Sequence, residues 1–476
     1  MAEPGIQLEM NFDSNRNRFK ANLNEGNFFV LFEANPPSRQ ADLEASKERL
    51  TELEFAVAGI ETLPAGLAIT DRYTTVDTWN VADYASALSP SDRDRHLVYL
   101  SGRGVTRQEL LATAGLFNAA GFPNVTPVSG NSIPGENMRQ TASRHFVESV
   151  HAIRELQALY EGHIHLGCVV NPFKYNATDL LWQYFKVIKK INQGAEFLVT
   201  QFGWDMMKLQ ELRWYLEFRG QHVPSIARIL MLTPEKVESI SSGKYPGVNI
   251  SPDFQIILQN ELKYSFTQFE AAQWRRIQLQ AAGCRLLGYS GIQLAGIERP
   301  DKIRIAAARI AEALDEFKHF DDWKKAYLEY LSRAEMAPYP YRFYLFNQLF
   351  SQAYPESDPR MNDAAIPAPG WKERFHYKLN RFMFSHSASQ AAEEHFMSKK
   401  LLVHCPGCKA CRLPFTEYVC PNTCPKGLAN GPCGGTKVDG TCEVGPFECI
   451  HSRRLRLAMW RSHIDELEEH YIESGE

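Results

Sequence analysis

No apolar run in this 476-residue chain approaches the ~20 residues that cross a membrane, and the opening Met1-Ala2-Glu3-Pro4-Gly5 begins no basic-then-apolar leader. Neither membrane insertion nor export is expected, and the expected location is cytoplasmic. Basic blocks are missing as well. With a net charge of −4 and a pI near 6.4, nucleic acid is not expected as a main partner. The short run Arg453-Arg454-Leu455-Arg456 is expected on the solvated face of a C-terminal helix. No G-x-G-x-x-G loop follows the first strand-like run and no Walker motif occurs anywhere, which argues against an open nucleotide-binding sheet. Low-complexity tracts and short repeats are absent, and a hydrophobic fraction of 44% is ordinary for a globular protein.

Cysteine is scarce through the first four hundred residues and then abundant. Cys405, Cys408, Cys411, Cys420, Cys424, Cys433, Cys442 and Cys449 crowd one short stretch rich in Pro and Gly. Such segments bury too little apolar surface to fold unaided, and thiolate coordination of metal supplies what the core lacks. Disulfides are the alternative, disfavoured in a reducing compartment. Eight thiolates suffice for two iron–sulfur cubanes or two zinc ions. The opening C-x2-C-x2-C favours a 4Fe-4S cluster over zinc, because three close thiolates can reach three irons of one cube. His404 and His451 adjoin the array and are left out of the ligand set.

Before residue 320 the chain alternates β-rich runs with amphipathic helical stretches. Strands are expected at Phe28–Glu33, Gly66–Thr70, His96–Leu100, Asn124–Ser129, His165–Asn171, Phe197–Gln201, Ser225–Leu230 and Tyr289–Leu294. Helices are expected between them, including one over Thr141–Tyr160 and a longer helical excursion through Thr233–Gly283. Eight such units predict an α/β fold, a (β/α)8 barrel of the TIM type over residues 1–320. Residues 321–400 read as a helical connector with a loop between Tyr354 and Gly370, and 401–476 as a small cysteine-rich metal-binding domain closed by a helix over Ser452–Ser474.

Chemistry in such barrels gathers where strands end. Strand one ends in Glu33, a desolvated carboxyl suited to proton donation. Ser129-Gly130-Asn131, Asn171 and Thr200-Gln201 offer donors and acceptors beside apolar walls that suit a heteroaromatic ring. The plainer reading is that a lone Glu caps a loop and that Asn and Gln satisfy loop backbone. His96, His163 and His165 are expected to be packed or solvent-facing, not metal ligands.

Phe32-Glu33-Ala34-Asn35-Pro36-Pro37 resembles the E-x-x-P-P signature of methylenetetrahydrofolate reductases. Gly194-Ala195-Glu196-Phe197 with Thr200-Gln201-Phe202 is similar to another of their segments, and Leu294-Ala295-Gly296-Ile297 to their last strand. Cys424-Pro425-Lys426-Gly427-Leu428 and Asn430-Gly431-Pro432-Cys433-Gly434-Gly435 resemble the companion domain found with this reductase in acetogens and other bacteria. The resemblance implies a flavin-binding barrel that reduces 5,10-methylenetetrahydrofolate to 5-methyltetrahydrofolate. It implies FAD as cofactor, a tetrahydrofolate derivative as partner, and electrons from NAD(P)H or a redox protein docked at the cysteine region. A homo-oligomer is an open possibility. Glu33 would be the acid that opens the substrate ring, Asn131 and Gln201 would bind folate, and Thr70, Ser129, Asn171 and Lys190 would line the FAD site.

Three positions depart from the family pattern. Asn131 stands where an Asp is usual, Tyr99 where a flavin-contacting His is common, and Gly104 where an acid is expected. They motivate the alternative of a non-reducing paralogue that binds a methyltetrahydrofolate for a methyltransferase system. An inert scaffold is the third reading.

Overall fold

The structure is a computed structural model that describes residues 17–72, 77–331, 336–337, 342–353, 355, 366–385, 396–408 and 410–475. Strands β1 Phe29–Ala34, β2 Ala65–Ile69, β3 Leu97–Ser101, β4 Asn124–Val128, β5 His165–Val170, β6 Phe197–Thr200, β7 Ser225–Leu230 and β8 Gly291–Ala295 form a closed barrel in chain order. Every pair is parallel, and β8 returns to β1 from Phe29 opposite Gly291 to Phe32 opposite Leu294. This is the (β/α)8 barrel expected from the alternation of elements.

Alternation along each strand sorts residues between two cores. Val30 and Phe32 of β1, and Ala227 and Ile229 of β7, join the core between strands and helices. Phe29, Leu31, Ala68, Leu97, Phe197, Val199 and Ile226 fill the barrel interior. The helix Arg18–Asn24, capped by the Asn17 side chain, stoppers the N-terminal end. Its Phe19 meets Phe29 and Phe197 edge to face at 5.1 and 5.2 Å. The same parity turns Glu33, Thr70, Asn171, Gln201, Arg228 and Gln293 inward at or near the opposite end.

Three expected helices divide. The run expected over Thr141–Tyr160 splits into Met138–Ala142 and Ser149–Tyr160. Between them the backbone is drawn across β3, with Gly104 N–H donating to the His145 carbonyl and Val147 N–H to that of Gly102. The excursion after β7 becomes three helices, Pro234–Ser241, Pro252–Tyr264 and Phe266–Leu286, capped by the Thr233, Ser251 and Ser265 hydroxyls. The closing helix breaks into Ile450–Trp460 and Ile464–Glu469 at Ser462, whose φ is +57°. Connector helices occupy Phe320–Leu331, Trp371–Phe384 and Phe396–Val403. Much of the loop expected from Tyr354 to Gly370 lies outside the described residues. Among the described residues no helix is long and apolar enough to cross a membrane.

The basic run at 453–456 is corrected by the structure. Arg454 is fully buried, its guanidinium 5.0 Å from the Trp182 ring centroid and donating to the Ala429 carbonyl at 2.6 Å. It sits in register with His451, Leu455 and Ala458 on the stripe that packs on the barrel, so helical period overrides charge.

Candidate functional site

The inward-facing polar residues form one linked set at the barrel's C-terminal end. Arg228 reaches across from β7 to Glu33, donating from Nε to Oε2 and from Nη2 to Oε1, each at 2.8 Å. Gln293 Nε2 donates to Glu33 Oε2 at 2.8 Å, and Tyr99 Oη donates to Gln293 Oε1 at 2.6 Å. Arg228 Nη1 donates to Gln201 Oε1 at 3.0 Å, and the guanidinium lies 4.7 Å from the Phe202 ring centroid. Glu33 is 3% exposed, so this is a buried, bidentate, charge-assisted pair. Burial pushes the Tyr99 phenol well up, which keeps it a donor to Gln293.

Two cavities flank the pair. One of about 150 Å³ brings together Thr70, Ser129, Asn131, Asn171, Lys190 and Gln201, six of the seven barrel residues singled out from sequence. Glu33 lies on the other side of Arg228 and lines a separate cavity of about 200 Å³ with Lys236, Tyr245 and Glu298. Arg228, which links Glu33 to Gln201 at the cavity, is the candidate that sequence reasoning missed. Its only signal was one basic residue inside an apolar strand run.

The cysteine-rich region supplies a wall of the first cavity through Pro432, Cys433 and Gly434. Asn171 Nδ2 donates to the carbonyls of Gly434 at 2.8 Å and Gly247 at 3.0 Å. Lys174 Nζ donates to Gly434 O and Thr436 O at 2.9 and 2.7 Å, and Gln183 Nε2 to Cys433 O at 2.9 Å. Lys186 Nζ donates to Gly431 O and pairs with Glu148, both at 2.8 Å. Only glycine suits position 247, where φ is +74° and a Cβ would lie 2.0 Å from the Gly434 carbonyl oxygen. The β4 loop is gripped from the same side: Lys426 Nζ donates to Gly130 O at 2.9 Å, and Glu443 accepts from Ser132 N–H at 2.6 Å. The cysteine region therefore positions the loop that carries Asn131.

Buried charge concentrates at this seam. Burial alone would raise the Glu148 carboxyl. The Lys186 ammonium, nearby His151, and hydrogen bonds from Lys186 and the Ala429 amide outweigh it and hold Glu148 far below the usual carboxylate range. Lys190, lining the first cavity, is brought down to about 8 by burial, and its Nζ donates to the Val169 carbonyl at 2.5 Å. His96 and His165 are packed: His96 bonds Glu54 at 3.0 Å, and His165 lies 4.6 Å from Phe197 between ring centroids.

The eight cysteines divide in chain order. Cys405, Cys411 and Cys420 share an apolar cluster with Phe384 and Val403. Burial raises the Cys408 thiol, opposed by Arg412 and assisted by Cys405 and Cys411. Cys433 is pushed up to about 12 by burial, then by Glu443, Cys442 and Cys424. Cys449 is raised well above the usual thiol by burial, with Asp179, Cys424 and Cys433 adding to it. The outer set is thus 405, 408, 411 and 420, and the inner set 424, 433, 442 and 449, the latter reaching the cavity wall through Cys433. Among the described residues no three His, Cys, Asp or Glu side chains are arranged to hold a metal ion, so coordination is not shown.

No curated protein matches this chain. Among solved structures, an uncharacterized protein from Clostridium thermocellum that binds two copies of 5-methyl-5,6,7,8-tetrahydrofolic acid aligns with it at 16% identity and a TM-score of 0.46, over 63% of this chain and 100% of that one. Residues 18–250, from the N-terminal stopper through β7, match the family model described as methylenetetrahydrofolate reductase. Residues 384–474, which contain all eight clustered cysteines, match the model described as methylene-tetrahydrofolate reductase C terminal. Together these two matches, one on the barrel and one on the region that walls its mouth, make the chain similar to methylenetetrahydrofolate reductases in both parts.

Proposed function

We propose that the barrel mouth binds a tetrahydrofolate derivative and that the protein reduces 5,10-methylenetetrahydrofolate to 5-methyltetrahydrofolate with a bound flavin. The observation that carries this reading is the convergence of Thr70, Ser129, Asn131 and Gln201 on one cavity at the end of the barrel where such enzymes work. The hydroxyl and amide rim fits a flat heteroaromatic ring. Lys186 and Lys190 donate to backbone carbonyls of the chain itself and Arg228 is paired with Glu33; Arg72, whose contacts to the Ser101 carbonyl and to Asp71 are longer at 3.4 and 3.6 Å, is the cavity-lining cation suited to the phosphates of FAD. Bound there, the flavin would supply the hydride.

The chain's own residues have three tasks in this reading. Gln201 and Asn131 orient the pterin edge. The Gly431–Gly434 loop and the Lys426 grip on Gly130 keep water from one side of the cavity. Glu33 delivers the proton, and to do so its carboxyl must exchange its bonds to Arg228 for one to substrate. The inner cysteine set, as a zinc site or an iron–sulfur centre, would hold the loop in place.

A second reading has a specific observation behind it. The Glu33–Arg228 pair holds the expected proton donor as an acceptor of three hydrogen bonds, and the guanidinium, which lines the same cavity as Asn131 and Gln201, would disfavour a cationic iminium formed there. With neutral Asn131 in place of an acid, this mouth is less negative than the reaction favours, and the protein then binds a methyltetrahydrofolate without reducing it. Anaerobic titration separates the readings. Reoxidation of the photoreduced, flavin-loaded protein by methylenetetrahydrofolate supports reduction; tight 5-methyltetrahydrofolate binding with no reoxidation supports the second. Failure to bind either folate discards both.

A further inference from the structure

The helix Trp371–Phe384 carries large apolar residues on two opposite faces. Tyr377, Asn380 and Phe384 are buried, spaced so that they share one side, and Phe384 joins the cluster that contains Cys405 and Cys420. Trp371, Phe375 and Phe382 fall at i, i+4 and i+11 with Lys378 at i+7, which places all four within one narrow stripe on the other side. That stripe faces solvent: Trp371 is 75% exposed, Phe375 59% and Phe382 86%. The helix Phe396–Val403 repeats the arrangement. Val403 and Lys399 are buried, and Met397 and Leu401, one turn apart, are 76% and 79% exposed. An ordinary surface helix presents polar residues where these two present aromatic and aliphatic ones, and a patch of this kind marks an interaction surface.

The polar residues among these side chains carry one sign. Lys372, Lys378, Arg381 and Lys400 are exposed on the two helices. The sole acid on either is Glu373, which is committed to Arg456 at 2.8 and 2.9 Å. A face that is apolar at its centre and basic around it, on a chain of net charge −4, is complementary to a partner with the opposite pattern. The same two helices cover the outer cysteines with their inner faces, so an occupant would lie about one helix diameter, ~10 Å, from those thiols.

We propose that the outer faces of Trp371–Phe384 and Phe396–Val403 form a docking surface for a small acidic protein with an exposed apolar patch. That the partner is an electron carrier rests on the reductase reading; that it is acidic and apolar does not. The test uses the full chain and a small acidic two-cluster ferredoxin as probe, with calorimetric titration at low and high salt. The expected result is saturable binding that weakens at least about tenfold when salt rises into the range where the Debye length falls below ~8 Å. F382D/L401D and K378E/R381E should each abolish it, and K378R/R381K should retain it. Circular dichroism and folate binding are measured on the same proteins. Unchanged folate binding shows a folded barrel, so loss of docking is separable from failure of the reductase reading. Absence of ferredoxin binding at low salt, or binding that survives both disruptive variants, overturns the proposal. So does self-association of the wild-type chain that those variants abolish, since the face would then belong to a second copy.

Discussion

The Glu33–Arg228 pair gives a quantitative test of the site. Glu33 accepts three hydrogen bonds at 2.8 Å, two of them from Arg228, and is 3% exposed, while the Arg228 side chain is 10% exposed. Replacing Arg228 with Met keeps the side-chain volume and leaves a buried carboxylate with Gln293 as its remaining donor, which costs about 3–5 kcal/mol. Replacing Glu33 with Gln strands the guanidinium, although Gln201 and the Phe202 face still receive it, and costs about 2–4 kcal/mol. The double variant E33Q/R228M removes both charges together, and its cost is about 1–2 kcal/mol because the amide introduced in place of Glu33 can still accept from Gln293. The coupling energy is therefore several kcal/mol. Urea unfolding of the four proteins, followed by tryptophan fluorescence with m-values required to agree, measures it. Single-variant costs that simply add to that of the double variant, within about 0.5 kcal/mol, would refute the pairing. On the same proteins, R228M turning over methylenetetrahydrofolate faster than the wild type shows that the pair restrains Glu33, and activity lost again in the double variant assigns the proton to that carboxyl.

Three further outcomes are expected. C408S should lower total bound iron plus zinc by about half by removing the outer site, and C433S should do the same through the inner site; either change abolishing all metal would show that the two sets are not independent. Because Glu148 is held far below its unfolded value near ~4.3, its contribution to stability is complete above that pH and is lost progressively as pH falls from there toward the depressed folded value, so the seam between barrel and cysteine region should loosen in strong acid. Protection from hydrogen exchange at Gly431–Gly434, corrected for the intrinsic rate at each pH, should fall between pH 6 and 2.5 in the wild type and be low throughout in E148Q; a flat wild-type protection profile would sink the assignment. Lys190 gives a slope of the same sign in a higher window: lowered to about 8 when folded, it makes the unfolded chain the stronger proton binder between there and ~10.4, so stability should climb across that interval in the wild type relative to K190M.

The barrel was legible because parallel strands buried on both faces read as apolar runs, and the chain breaks most of them with Gly, Asn or Pro at or just past the end. Strand limits therefore fall within two residues of those expected. Contacts distant in sequence were not legible. The helix over 141–160 broke because residues 143–148 bond to the β3 loop, some forty residues back along the chain. Arg228 was not singled out within Ser225–Leu230, since nothing local says that the strand's inward parity carries it to Glu33. Arg454 was misread because charge was weighed before period, although His451, Leu455 and Ala458 already marked the buried stripe. The convergence of Thr70, Ser129, Asn131, Asn171, Lys190 and Gln201 was legible, because strand ends of a barrel meet by topology.

The wall at Pro432–Gly434 also has a consequence for how the protein is made. Strand β8 ends at Ala295, and the glycine-rich loop leaves the ribosome roughly 140 residues later, about 7–30 s at ordinary elongation rates. During that interval a closed eight-stranded cylinder can exist with its upper rim uncapped and with Lys174, Lys186 and Asn171 lacking their partners in the loop. Docking of the loop onto these side chains is then a late event of maturation, and a nascent chain stalled short of residue 430 would carry a well-formed cylinder that cannot retain its ligand.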